Sequence, residues 1–123
     1  RIFTKGIRIM IEQLIEKMFE SRNAAHIQHW KTKSYSQHQA LGEYYQSVIE
    51  IIDKYVEAHQ GTFGIIGDVE GEKPDVAKLI NDDIIWLNEN RSKISKGIPA
   101  LENILDELTG LHMTTLYKLE NLR

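Results

Sequence analysis

The sequence predicts an all-α fold: four helices, with a long connection between the second and the third. Apolar residues recur at the three- and four-residue spacing of a helix face in four separate stretches. Only two prolines occur, Pro74 and Pro99, and each stands where a helix can begin rather than where one must continue. No stretch shows the alternation of a strand, and there is no internal repeat.

Residues 1–9 are set apart by three basic side chains, Arg1, Lys5 and Arg8, and no acidic one. They read either as translated leader, Lys5-Gly6 being compatible with a purine-rich ribosome-binding sequence before a start at Met10, or as a basic arm that touches DNA. Residues 10–123 form the helical body. The first helix is expected from Met10, with Ile11, Leu14, Ile15, Met18 and Phe19 on its face, continued by Ala25, His26, His29 and Trp30. It should end near Trp30, and Ser36 is a candidate N-cap for the next helix after a short polar link. The second helix carries Leu41, Tyr44, Tyr45, Val48, Ile51, Ile52, Tyr55 and Val56, and Gly61 is expected to stop it.

Four glycines, Gly61, Gly64, Gly67 and Gly71, then mark a crossover that reaches Lys73, long enough to let two consecutive helices lie parallel. Pro74 starts the third helix, which bears Val76, Leu79, Ile80, Ile84 and Leu87 and closes at Lys96-Gly97. Pro99 starts the fourth, with Leu101, Ile104, Leu105, Leu108, Leu111 and Leu116 on its stripe.

At 123 residues the chain is long enough for one self-supporting domain. It has no cysteine, which excludes disulfides, thiolate zinc sites, iron–sulfur clusters and cysteine nucleophiles, so a metal here must use His, Asp or Glu. A net charge of −3 argues against a body that binds nucleic acid by charge alone. No apolar run reaches the roughly 18 residues of a membrane-spanning helix. Walker A, dinucleotide-binding and His-Glu-x-x-His patterns are absent.

The residues with chemistry to offer are His26, His29 and His38, then Asp53 and Glu57. Asp53 and Glu57 lie four apart, on one face of the second helix, and the turn between the first two helices can bring His29 to His38. His38 and Asp53, however, are 15 residues apart on one helix, about 22 Å at 1.5 Å per residue. One chain cannot close that gap. A two-fold dimer with antiparallel second helices can, its axis passing around Tyr45 to Val48, with His29 and His38 of one chain meeting Asp53 and Glu57 of the other. Imidazoles mixed with carboxylates suit Fe(II) better than Mg or Ca. Taken singly, each of these residues is more often a packed histidine or a solvated acid. His26 is a further ligand, a partner of the ligands or a core histidine; His59 and His112 show no partner in sequence.

With these residues in view, the stretch from Ala25 to Glu57 resembles the segment that defines the Dps-like mini-ferritins. In them a His-Trp pair late in the first helix and a His early in the second are completed by an Asp and a Glu from the dimer mate; His29-Trp30, His38, Asp53 and Glu57 match. From Lys31 onward the wording is most similar to short Dps-like proteins of bacteriophages. The resemblance implies a ferritin-like four-helix bundle and a hollow homo-oligomer built from two-fold dimers, commonly a dodecamer, in the cytoplasm of a bacterial or phage-infected cell. It implies ferroxidase activity as well: non-haem iron is bound as Fe(II), oxidised by peroxide or dioxygen, and stored as Fe(III), protecting against oxidative stress. Trp30 sits where that family places an aromatic that intercepts oxidising equivalents, or else fills the bundle end. Two departures stand out. The His29–His38 interval is short, at nine residues, and Gly42 stands where many members have an Asp. Glu43 is adjacent but points about 100° around the helix. These departures favour an alternative, a ferritin-like structural or interaction oligomer with weak catalysis; a DNA-binding protective protein is the third reading, resting on residues 1–9.

Overall fold

A computed structural model describes residues 2–71 and 75–122, the side chains of residues 2–9 excepted. Among the described residues there are four helices and no strand: α1 (Ile2–Lys31), α2 (Tyr35–Phe63), α3 (Val76–Ser95) and α4 (Pro99–Asn121). They form two compact units, the hairpin α1–α2 with the connection that follows it, and the hairpin α3–α4. None of the helices is long and apolar enough to cross a membrane.

Helix α1 starts at Ile2, not at Met10, since nothing between them except Gly6 disfavours a helix. A link of three residues joins it to α2. The N-cap of α2 is Ser34 rather than Ser36: its hydroxyl accepts a hydrogen bond from the Gln37 amide at 3.3 Å. Thr32 supports the turn, its hydroxyl accepting from the Ser34 amide at 3.2 Å and donating to the Gln37 side chain at 2.8 Å.

Gly61 does not end α2. The helix passes through it and stops at Gly64, whose φ of 93° no side-chain-bearing residue adopts easily and whose amide donates to Gln60 O at 2.9 Å. A lone exposed glycine costs a helix only about 1 kcal/mol, less than abandoning the last turn. The connection then packs on its own hairpin. Ile66 and Val69 lie against the core of Ile11, Ile15 and Ile52, the Ile66 amide donates to the Gln60 side chain at 3.2 Å, and the Gly67 amide donates to the Glu12 carboxylate.

The start expected at Pro74 lies outside the described residues. Helix α3 is capped by Asp75, whose carboxylate accepts from the Lys78 amide at 3.0 Å. It ends on Lys96 in the left-handed conformation, φ 55°, followed by Gly97 at φ 73°. The buried Ser95 hydroxyl closes that turn, donating to Arg91 O at 2.8 Å and accepting from the Gly97 amide at 3.3 Å. Arg91 ties α3 to α4 by a bidentate pair with Asp106 at 2.7 and 2.8 Å.

These features set an order of sensitivity in the first hairpin. Ile15→Ala, at a position only 4% exposed, should cost about 2–5 kcal/mol, and Ser34→Ala about 1 kcal/mol. Urea denaturation followed by circular dichroism checks both; an Ile15→Ala loss no larger than that of Ser34→Ala contradicts the core described here.

Candidate functional site

The last four carbonyls of a helix have no partner within it, and the His29 carbonyl belongs to that set in α1. His38, on the first turns of α2, supplies one: its Nδ1 lies 2.7 Å from His29 O. The relation is reciprocal, His29 Nδ1 lying 2.6 Å from His38 O. The two rings stack with centroids 3.6 Å apart and planes 18° from parallel. A carbonyl can only accept, so each Nδ1 carries the hydrogen. In the neutral ring this leaves the Nε2 lone pair free, and that is the tautomer a metal-binding histidine needs.

Gly42, one turn beyond His38, allows this packing to be close. A Cβ at position 42 would lie 3.1 Å from His29 Cε1 and 3.3 Å from His29 Nδ1. The His29 ring therefore occupies the space beside the α2 backbone where a side chain at 42 would begin.

Around this pair lies an aromatic cluster in which Tyr45 is central. His26 stacks on Tyr45 at 3.8 Å and 14°, His29 meets the same ring edge-on at 5.3 Å, and the Arg22 guanidinium carbon sits 5.5 Å from its centroid. His26 is pushed toward its neutral form, first by desolvation, then by the charges of Arg22 and His29. Trp30 packs on His26 at 4.2 Å but is 66% exposed, so it does not fill an interior. Sequence places Tyr45 only on an apolar stripe and near the expected two-fold axis, and does not mark Arg22. The available signal was the i, i+4 ladder Arg22, His26, Trp30 facing a tyrosine on the next helix.

Asp53 and Glu57 lie together, both exposed, on α2. Glu57 is raised above the ordinary 4.5 by a hydrogen bond to Asp53, then by the Asp53 charge, then by desolvation. The pair stays remote from His38, 15 residues along the same unbroken helix, about 22 Å away. Among the described residues of one chain, no three His, Asp or Glu side chains gather as metal ligands. At 100° per residue, His38, Gly42, Asp53 and Glu57 nevertheless fall within an arc of about 100° on α2. An apolar groove of about 300 Å³ between α1 and α2, walled by Tyr44, Ile51 and Tyr55 among others, lies on a different side of the helix. Glu43 is exposed and makes no hydrogen bond to the cluster.

The other two histidines differ from the sequence expectation in one case. His112 has a partner, Asp83 Oδ2 at 3.4 Å from its Nε2. Because Asp83 and His112 lie 29 residues apart on different helices, the pairing left no local signal. His59 is buried between Tyr55 and Phe63 with Nδ1 unpaired.

A family model described as "Family of unknown function (DUF5856)" matches residues 29–119, and the chain belongs to that family. The matched span begins at His29 and includes His38, Gly42, Asp53 and Glu57. The chain is also similar to an uncharacterised 14.6 kDa protein from the mobD-ri intergenic region of Enterobacteria phage T4, 30% identical over 98 residues, 76% of this chain and 75% of the relative. No solved structure matches.

The Asp53–Glu57 contact sets the sign of a pH effect in the metal-free protein. A carboxyl raised above its ordinary value contributes stability below that value and loses it as pH climbs through the raised one. At neutral pH the two charges therefore repel. Asp53→Asn is expected to be more stable than the parent in neutral buffer, with the gain shrinking in mildly acidic buffer as Glu57 takes up its proton. Urea midpoints at the two conditions test this; an equal gain in both would show that the repulsion is not the cause.

Proposed function

We propose that this chain is a subunit of a Dps-like iron-binding oligomer. In this reading it binds Fe(II) between subunits, oxidises it with peroxide or dioxygen, and holds Fe(III) inside a hollow assembly, in a bacterial or phage-infected cell. The observation that carries the reading is the reciprocal His29–His38 pair, which orients two imidazoles with their Nε2 atoms free. The ferritin-like bundle, with the connection that begins at Gly64 as its crossover, belongs to the same proposal.

The α2 face supports a particular register. Let an antiparallel partner helix be related by a two-fold axis level with the midpoint of Ser47 and Val48. Residues equally far from that level then face one another: Gln46 meets Ile49 of the partner subunit, Gly42 meets Asp53 of the partner subunit, and His38 meets Glu57 of the partner subunit. All six positions lie on one side of α2, and Ile49, near the centre, is exposed. Each of the two sites so formed has two imidazoles and two carboxylates. The carboxylates offset the charge of one Fe(II), and the remaining coordination positions are left to water and oxidant. Exposed Trp86, Ile104 and Leu111 on the second hairpin support further association of subunits.

The test is an anaerobic Fe(II) titration followed by peroxide, comparing the full-length protein with a His29→Ala, Asp53→Ala double variant. Loss of more than about tenfold in Fe(II) affinity and in oxidation rate is expected. Unchanged binding and oxidation in the variant reject the site. Light scattering should give a mass of many subunits; a mass of two chains removes the storage cavity from the reading while leaving the inter-subunit site.

A further inference from the structure

We propose that residues 64–71 form a strap along α1, closed in mild acid by a proton held between the Glu16 and Glu70 carboxyls and loosened at neutral pH. The strap shares no residue with the inter-subunit site above and stands or falls without it.

Its path is set by what it touches. The chain leaves α2 at Gly64, and Ile66 and Val69 then lie against the core of Ile11, Ile15 and Ile52. Between these two apolar anchors the Gly67 amide donates to the Glu12 carboxylate, and a Cβ at 67 would lie 2.8 Å from Glu12 Oε2, so strap and helix touch at this level. Three residues on, Glu70 meets Glu16, one helical turn beyond Glu12, and the two side chains hydrogen-bond. The strap thus runs beside α1 in the direction of that helix, meeting one turn with an amide and the next with a carboxyl.

The two meetings differ in chemistry. At Glu12 an amide faces a carboxylate, a charge-assisted bond that needs the acid ionised. At Glu16 two carboxyls face each other, and they bond only while one of them keeps its proton, because two carboxylates offer acceptors and no donor. The surroundings favour that proton. Desolvation holds the Glu16 carboxyl above the usual 4.5, followed by the charge of Glu70 and the bond to it, while Lys17 beside it on α1 opposes. Among the described residues, α2 brings no charged group to act on Glu16; its polar contribution to the strap is Gln60, which does not titrate. Asp68, the other acid of the strap, is exposed. A carboxyl raised in the closed form supports closure below its ordinary value and loses that support as pH climbs through the raised one. Above it, like charges push the end of the strap off α1, and the apolar surface beside Ile11 and Ile15 is uncovered.

Amide hydrogen exchange in the full-length protein, resolved by residue and corrected for the intrinsic effect of pH, tests this. The Ile66 and Gly67 amides, both hydrogen-bonded in the closed strap, are followed against Met18 in the interior of α1. From about pH 7.5 to about pH 5 their protection should rise roughly threefold or more beyond any change at Met18. A rise no larger than that of Met18 overturns the proposal. Glu16→Gln keeps a donor toward Glu70 at every pH, so its strap amides at neutral pH should reach the protection that the wild type shows in acid, with the pH dependence gone. A variant that retains the wild-type pH dependence overturns the assignment to this pair. Should Glu16→Gln fail to fold, Glu70→Gln, at an exposed position, carries the same comparison with the same two outcomes.

Discussion

Two hydrogen bonds between imidazole and carbonyl, exchanged by His29 and His38, fix the geometry on which the rest of the first hairpin depends. They join the end of α1 to the start of α2 across a turn of only three residues. The bond from His38 answers a need at both ends, whereas the His38 carbonyl lies within the ladder of α2 and takes the His29 bond as an extra one. The His29 carbonyl, left over at the end of α1, gains a donor, and each ring gains a fixed orientation and tautomer. Because the rings stack, the helices are also held at a set distance at this end of the hairpin. Ile11, Ile15 and Ile52 hold the other end with apolar contact, so α1 and α2 are pinned at two places by unlike forces.

Much of the helical architecture was legible in the sequence because it depends on periodicity, and periodicity is local. The four stripes, the cap region at Lys96-Gly97 and the start at Pro99 all lie where the spacing puts them. Apart from the start of α1, the errors fall where two local signals compete. Ser34 and Ser36 both offer an N-cap hydroxyl; Ser34 wins because its hydroxyl reaches the Gln37 amide while Thr32 braces the same turn. Gly61 and Gly64 both offer a stop. The choice of Gly64 follows from contacts made later in the chain, since Ile66 and Gly67 must reach Gln60 and Glu12. No reading of residues 55–64 alone contains that requirement.

Legibility at the proposed site is of a different kind. The residue types and their spacing are visible in sequence, but what lies beside Gly42 is not. In sequence Gly42 looks like a missing acid. In the structure it is a close approach, with the His29 ring lying where a side chain would start. The role of Tyr45 was hidden for a related reason. A tyrosine on an apolar stripe reads as core, and only the folded hairpin shows that it receives His26 on its face and His29 at its edge.

The two sides of α2 differ in character, and the proposed shared site depends on that difference. On one side Tyr44, Ile51 and Tyr55 wall an apolar groove. On the other, Gly42, Gln46, Ile49 and Asp53 form a face that is polar at its ends and lightly apolar at its centre. A straight helix of 29 residues cannot bend His38 back to Glu57. In the proposed dimer it presents both ends of that face to an antiparallel copy, so that the same separation that divides His38 from Glu57 in one chain would place two sets on either side of the axis. The repulsion between Asp53 and Glu57 is consistent with that proposal: two carboxylates kept close at a cost to the lone chain would become favourable if a cation lay beside them.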